Sequence, residues 1–438
     1  MVYFIFQKYK FFELCFSFLM QKSILYLSAI WPEWNATAAG VRSQQLLTQW
    51  HRMGYTVYLG SAGKNQQWKK RWEEIGIIPC PIVLNQPTIF KGLLPCPPNA
   101  VIYDRFYLEE QYSWQIREFF PKCRHIIDTQ DLHSLRFARQ KDLNRGKDPL
   151  ETSLSIEESL TLRELSAFYR ADYSLFTSTV EIDILNKNFC FPKDKMGYLP
   201  LFYQDPPSVK SVSFSQRKHC CFIGNYRHLP NLDAVKWFSK MVWPFIREKI
   251  SGVQLHLYGS YLPAEVKELS DYGVVVKGQT PEVISTLQKY RINFAPLRFG
   301  AGLKGKVLEA SRAGTPTIGS AIALEGFYPK ESWKDATART LEEWIEKSVS
   351  LYSNKDSWEK FSSQNKASFV QYYLAKNWLP ELKESIEGQK AKPCLTTDLL
   401  RFQNNQSAKV LAKSIIEKKK KSFLDLPISN TKQAPKIE

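Results

Sequence analysis

Several signals that would place this 438-residue chain in familiar classes are missing. No continuous apolar run approaches the roughly 20 residues that a membrane-crossing helix needs. The first twenty residues are rich in aromatics, but Lys8, Lys10 and Glu13 interrupt them and Leu14–Met20 is too short to span. Since the strand-like run Ile24–Leu27 follows at once, residues 1–21 are read as an N-terminal extension, with a short membrane-contacting segment as the alternative. The eight cysteines form no CxxC pair and have no clustered histidine, which excludes zinc-finger spacing. Scattered through a large chain, they read as reduced structural thiols and point to the cytoplasm. The 20 Gly and 24 Pro are too few and too dispersed for a collagenous or linker-dominated protein. No HExxH, Walker or Gly-x-Ser-x-Gly motif is present, and no convincing Asp-x-Asp metal site. Without a secretory signal, Asn35-Ala-Thr37 and Asn405-Gln-Ser407 are chance matches to glycosylation acceptors.

What is present is a hydrophobic fraction of 44%, enough for more than one sizeable core, and a formal charge of +17. That charge invites a polyanion, yet from Gln389 onward there are eleven Lys/Arg against four Asp/Glu, so much of the excess lies in a tail. The Lys418–Lys421 run is read as solvated, with attachment to acidic lipid or RNA as the alternative.

Strand-like and helical patterns alternate twice. Ile24–Leu27, a polar loop through Gly40, a helical face of Leu46, Leu47, Trp50 and Met53, a stop at Gly54 and the run Tyr55–Leu59 make one strand–loop–helix–strand unit. Further strands are predicted at Ala100–Tyr103, His125–Ile127 and Tyr173–Thr177. The Pro- and Ser-bearing stretch 204–216 reads as a linker, after which Cys220–Gly224, a helix opening at Asn231, and runs at Val253–Tyr258, Val274–Lys277, Ile292–Pro296 and Thr317-Ile318 repeat the alternation. The fold class is therefore α/β, with two Rossmann-like doubly wound domains, 22–203 and 217–365, facing a cleft. A helical segment, 366–388, and a basic tail, 389–438, follow.

The most informative stretch runs from Asn293 to Pro316. A strand ends at Pro296, a loop with Gly300 and Gly302 follows, and a helix runs to a Gly314 stop. Backbone N–H groups at such a loop and helix start suit a phosphate, and Arg298, Lys304 and Lys306 suit a diphosphate. Glu309 is placed to accept from a ribose diol, or, more plainly, to pair with Lys306 or Arg312 on a solvated face.

This stretch, together with Phe222-Ile-Gly-Asn-Tyr-Arg-His-Leu-Pro-Asn, Trp243-Pro and Leu255-His-Leu-Tyr-Gly, resembles the carboxyl domain of family four (group 1-like) glycosyltransferases. The resemblance is specific over about Phe222–Gly326 and looser over Ile24–Phe361. It implies the GT-B arrangement and transfer of a sugar from a nucleoside-diphosphate sugar to a glycan or lipid-linked acceptor. Retention of configuration, no metal and no cofactor are implied too, the donor being a co-substrate. Gly224, His228, Gly300, Gly302 and Glu309 are the implied donor-binding residues; Lys304, Lys306 and Arg298 are implied at the diphosphate. Asp131 and His133 match a segment that orients the acceptor hydroxyl, though an Asp in such a loop also caps helices. His228 also has a capping or packing reading. Gly40, Arg42, Asp104, Arg105 and Arg136 are candidates for an acceptor or phosphate loop; Gly40 may equally serve a turn and Arg42 a surface charge. Many members carry a glutamate where this chain has Ala301, which leaves open how the sugar hydroxyls are read. Nucleic acid is not an expected partner; cytoplasmic residence with peripheral membrane contact is. A nucleotide-sugar epimerase of the same plan and a non-catalytic basic glycan- or nucleic-acid-binding protein are the competing classes.

Overall fold

The computed structural model describes residues 22–83, 90, 92–206, 212–389 and 397–407. The expected extension 1–21, the middle of the linker and the Lys418–Lys421 run lie outside them.

Two all-parallel sheets carry the fold. The first has seven strands in the order β3-β2-β1-β4-β5-β6-β7: β1 (Ser23–Ser28), β2 (Thr56–Ser61), β3 (Ile78–Pro81), β4 (Ala100–Asp104), β5 (Arg124–Asp128), β6 (Tyr173–Phe176) and β7 (Met196–Tyr198). The second has five, in the order β10-β9-β8-β11-β12: β8 (Cys220–Ile223), β9 (Leu255–Tyr258), β10 (Val274–Gly278), β11 (Ile292–Ala295) and β12 (Thr317–Gly319). In each sheet the strand order reverses beside the first strand, at β1/β4 and at β8/β11, and such a reversal opens a crevice at the carboxyl ends of the strands. The strands buried on both faces read as continuous apolar runs. Ile24, Leu25, Tyr26 and Leu27 of β1 and Val101, Ile102 and Tyr103 of β4 are all fully buried.

Two local details depart from the sequence reading. Gly40 is in the first turn of the helix Ala38–Arg52 rather than in a loop, and a Cβ there would stand 2.2 Å from the Glu33 carbonyl oxygen. Its need for a missing side chain is one of close approach, not of turn geometry. The stretch Leu341–Ala375, whose apolar period reads as helical, holds two α-helices, Leu341–Ser353 and Lys355–Tyr372, divided at Asn354, whose side chain caps the second.

The domains are joined by two crossings that run side by side. The outgoing chain at Tyr203 and the returning chain at Tyr373–Ala375 exchange two backbone hydrogen bonds, each of 2.8 Å. The returning chain forms the helix Leu379–Glu387, whose Leu382 and Ile386 are buried in the first domain's core against Trp50 and Leu46. Tyr55 donates to Glu387, and the Trp50 ring nitrogen to the Leu382 carbonyl. Among the described residues, no helix is long and apolar enough to cross a membrane.

Because Leu382 is fully buried away from its own domain, Leu382→Ala is expected to cost about 2–4 kcal/mol. Urea unfolding followed by tryptophan fluorescence checks this, and an unchanged midpoint would show that the returning helix is dispensable to the first domain.

Candidate active site

The carboxyl ends of the two sheets face one another across a cavity of about 690 Å³. From the first domain it is lined by the chain after β1 (Trp34–Ala39), by Arg42, by Arg105 after β4 and by Gln130, Asp131 and His133 after β5. From the second it is lined by Gly224, Asn225, Arg227 and His228 after β8, Gly259 and Ser260 after β9, Gln279–Val283 after β10, and the loop after β11.

That last loop is the expected phosphate seat. The helix Gly305–Ala313 starts at the cavity and ends at Gly314, whose φ of 63° is the left-handed cap that glycine allows. The helix Ala38–Arg52 also starts at the cavity, and the Ala38 Cβ lies 3.6 Å from where a Cβ of Gly305 would be. Two helix N-termini therefore converge, each with first-turn N–H groups that lack acceptors within their own helix and each with the positive end of its dipole inward. Lys304 and Lys306 stand at the same place. The Lys306 Nζ donates to Asn231 Oδ1 at 2.6 Å and lies 4.0 Å from the Phe222 ring centre. Burial pulls its pKa down to about 7, against the opposing charge of Glu309. The Lys304 ammonium is also pulled down by burial, and contacts Glu325 Oε1 at 3.3 Å.

Glu309 lines the cavity, half-buried, and forms no ion pair with Lys306 or Arg312 among the described residues. Burial pushes its carboxyl up to about 7, with Arg312 and Lys306 opposing. Arg312 instead stacks on Tyr203 at 4.2 Å. Gly300, Gly224 and His228 also line the cavity, and the His228 side chain caps nothing.

Two residues of the expected diphosphate turn are placed otherwise. Arg298 does not line the cavity, because Asp233 on the helix Leu229–Met241 takes its guanidinium through two contacts, Nε–Oδ2 at 2.8 Å being one. Gly302 faces the first domain: its N–H donates to Glu181 Oε1 at 2.9 Å, and a Cβ would stand 2.9 Å from the Gln130 carbonyl oxygen. With a φ of 66°, it is a glycine of domain contact rather than of phosphate approach.

On the first domain, Asp131 does not cap the helix His133–Asn144. Glu164 does, accepting from the N–H groups of His133 and Ser134 at 3.0 and 2.9 Å. Asp131 is free to face the cavity, where it accepts from Arg136 Nε at 2.7 Å and lies 3.4 Å from His133 Nε2. Although burial alone would raise it, the Arg136 guanidinium holds its carboxyl well below the usual range. His133 and His228 are each pushed down to about 4, chiefly by burial, and are neutral near pH 7. Asp104 and Gly40 do not line the cavity; Asp104 accepts from Ser28, Arg105 and Gln130 behind the wall. Arg42 is no surface charge: it is fully buried, its Nε 2.7 Å from Asp128 Oδ1, and its Nη1 donates to the Leu199 carbonyl at 2.8 Å.

Three residues that no sequence motif signals hold the loop after β11. Arg139 of the first domain donates to the Gly300 carbonyl at 2.8 Å and pairs through both terminal nitrogens with Glu325 of the second, which in turn meets Lys304. Glu181 accepts from Leu132 N at 2.6 Å as well as from Gly302 N, joining loops of both domains, and burial pushes its carboxyl up to about 8. The contacts between the domains, Arg139 with Gly300 and Glu325 and Glu181 with Gly302, each span more than a hundred residues, out of reach of any local pattern.

Residues 217–354 match the model of a family described as Glycosyl transferases group 1. No curated protein matches the sequence. Among solved structures, a glycosyltransferase from Rickettsia africae aligns with a TM-score of 0.59 at 12% identity, covering 84% of this chain and 100% of that one. Anabaena Alr3699/HepE in complex with UDP and glucose aligns with a TM-score of 0.61 at 11% identity, covering 84% and 100%. Sucrose-phosphate synthase from Thermosynechococcus elongatus aligns at 0.57 and 12%, covering 90% and 100%. The motif resemblance over the second domain is thus matched by a family model, and the fold is GT-B.

The raised Glu309 pKa carries a pH signature. The folded state binds the proton more tightly than the unfolded chain, so wild-type stability is lost as pH rises from about 4.5 through about 7. Glu309→Gln escapes that loss. Discounted for partial exposure, it is expected to gain about 1–2 kcal/mol on wild type between pH 5 and pH 8. Melting curves of both proteins at the two pH values check this; a constant offset contradicts the shift.

Proposed function

We propose that this chain, with a group 1 glycosyltransferase domain set against a second Rossmann-like domain, moves a sugar from a nucleoside-diphosphate sugar to a hydroxyl of a glycan or lipid-linked acceptor. The observation that carries the reading is the convergence of two helix N-termini with Lys304 and Lys306 at the junction of the domains. UDP in the Anabaena neighbour supports a uridine nucleotide as donor.

In this reading the diphosphate lies between the starts of the helices Ala38–Arg52 and Gly305–Ala313, with the ribose diol at Glu309. The base lies toward Gly259, Ser260 and Gln279–Val283, which line the same cavity. Breaking the bond between the anomeric carbon and the phosphate oxygen leaves negative charge on the departing diphosphate. The helix starts and ammonium groups are already aimed at that charge, so its stabilisation requires little reorganisation. Burial lowers the pKa of Lys306, and an anion beside it favours the charged ammonium. The acceptor enters from the first domain, where His133, neutral near pH 7, is the group able to receive or pass its proton. Attack on the leaving-group face retains the anomeric configuration. The protein's own cations serve where another enzyme would use a metal, and no cofactor takes part.

The test incubates the protein, in excess EDTA, with a panel of nucleoside-diphosphate sugars and a mixed acceptor pool. The expected result is release of free nucleoside diphosphate with a mass-shifted acceptor. Lys304→Gln and Lys306→Gln combined should lower the rate about 100-fold or more. Isomerised donor without nucleotide release would instead mark an epimerase, and no turnover of any donor would contradict the reading.

A further inference from the structure

The reacting end of the cavity carries cations beyond those at the diphosphate seat. We propose that it binds a second anion, a carboxylate or phosphate ester borne by the acceptor or by the transferred sugar, and that Arg105 and Arg136 hold it. The inference rests on the donor reading above and adds a substrate class to it.

Arg105 follows β4 with φ 77° and ψ 163°, a backbone setting that residues with a Cβ avoid. The setting brings its side chain to the cavity while Asp104, one residue earlier, stays behind the wall. Its Nη1 donates to Asp104 at 2.8 Å and to the Tyr107 hydroxyl at 3.4 Å, and its Nε and Nη2 make no hydrogen bond among the described residues. Arg136 spends its Nε on Asp131, and its two terminal nitrogens likewise make none. Beside them, Arg42 is 1% exposed, lines the cavity and has a buried Nη2 without a partner. The carboxylates that fix Arg42 and Arg105, Asp128 and Asp104, are both outside the cavity lining. Charge is thus neutralised from behind the wall while the guanidinium-bearing residues themselves line the cavity.

His133 and His228 stand within electrostatic reach of both Arg105 and Arg136. Burial, with these guanidiniums adding to it, keeps both neutral, and the buried His133 Nε2 has no hydrogen-bond partner. Among the described residues Asp131 is the one carboxylate that the first domain contributes to the lining, and Arg136 occupies it. An uncharged sugar calls for no net charge in its wall, whereas this one sets the guanidiniums of Arg42, Arg105 and Arg136 against the single carboxylate of Asp131 among the described residues. Forked guanidinium donors suit the oxygens of a carboxylate or phosphate.

The test is isothermal titration of the full chain at fixed ionic strength. In one series the UDP-saturated protein meets glucose 6-phosphate and glucuronate against glucose, and farnesyl phosphate against farnesol in the same neutral detergent. In the other the free protein meets UDP-glucuronate and UDP-glucose. At least a tenfold preference for a charged probe over its neutral counterpart is expected in one series. A preference in the first puts the anion on the acceptor, with the sugar and prenyl arms separating soluble from lipid-linked phosphate; a preference in the second puts it on the transferred sugar. Arg105→Gln and Arg136→Gln should each reduce that preference to threefold or less while UDP affinity stays within threefold of wild type, with Arg105→Lys as a further variant that keeps the charge. No preference in either series, or one that survives both glutamine substitutions, would overturn the proposal. If UDP does not bind, the donor reading fails on its own, and the same charged-against-neutral comparison on the free protein still decides the second anion.

Discussion

A lysine ammonium, a glutamate carboxylate and an arginine guanidinium share one desolvated position where the domains meet, and the placement of the cavity follows from them. The side chains of Lys304, Glu325 and Arg139 are 6, 11 and 3% exposed. None of the three tolerates burial alone. Removing one partner of such a cluster commonly costs about 3–5 kcal/mol, because a charge is left without compensation. Arg139 comes from the first domain and the other two from the second, so satisfying the charges fixes how the domains face one another. The same contacts position the loop after β11, since Arg139 also takes the Gly300 carbonyl and Glu181 takes the Gly302 N–H. The backbone that precedes the helix Gly305–Ala313 is therefore held by side chains of the first domain.

From that constraint the electrostatics of the cavity follow. Each Rossmann-like sheet supplies one helix start at its own reversal of strand order, and bringing the sheets face to face brings the starts together. Partial positive charge from the backbone is then fixed in place before any ligand arrives. Burial pulls the ammonium pKa of both lysines down, and an incoming anion opposes that pull. A similar economy operates on the first domain, where Asp104 and Asp128 orient guanidiniums from behind without placing negative charge at the cavity.

Much of this architecture was legible in the sequence, and the exceptions have physical causes. Long apolar strands such as Ile24–Leu27 and the Gly314 stop are local signals, and the structure has both where they were expected. β3, with Pro79 and Pro81, and the three-residue β7 were not found, because proline and brevity erase the strand pattern at the sheet edges where both lie. The lysines, Glu309 and the helix start were readable because a phosphate-binding turn keeps its groups within a few residues of one another. Which side chain takes which partner was not. Arg298 goes to Asp233, Gly302 gives its N–H to Glu181, and Glu164 rather than Asp131 caps the helix at His133. Each of these choices is made across 30 or more residues, by whichever carboxylate the packing leaves without a partner.

The most direct measurement is a structure of the protein with UDP bound. The account predicts diphosphate density between Ala38 and Gly305, within reach of Lys306, with both ribose hydroxyls turned to Glu309. A nucleotide bound elsewhere, or one whose phosphates point away from the two helix starts, would contradict it.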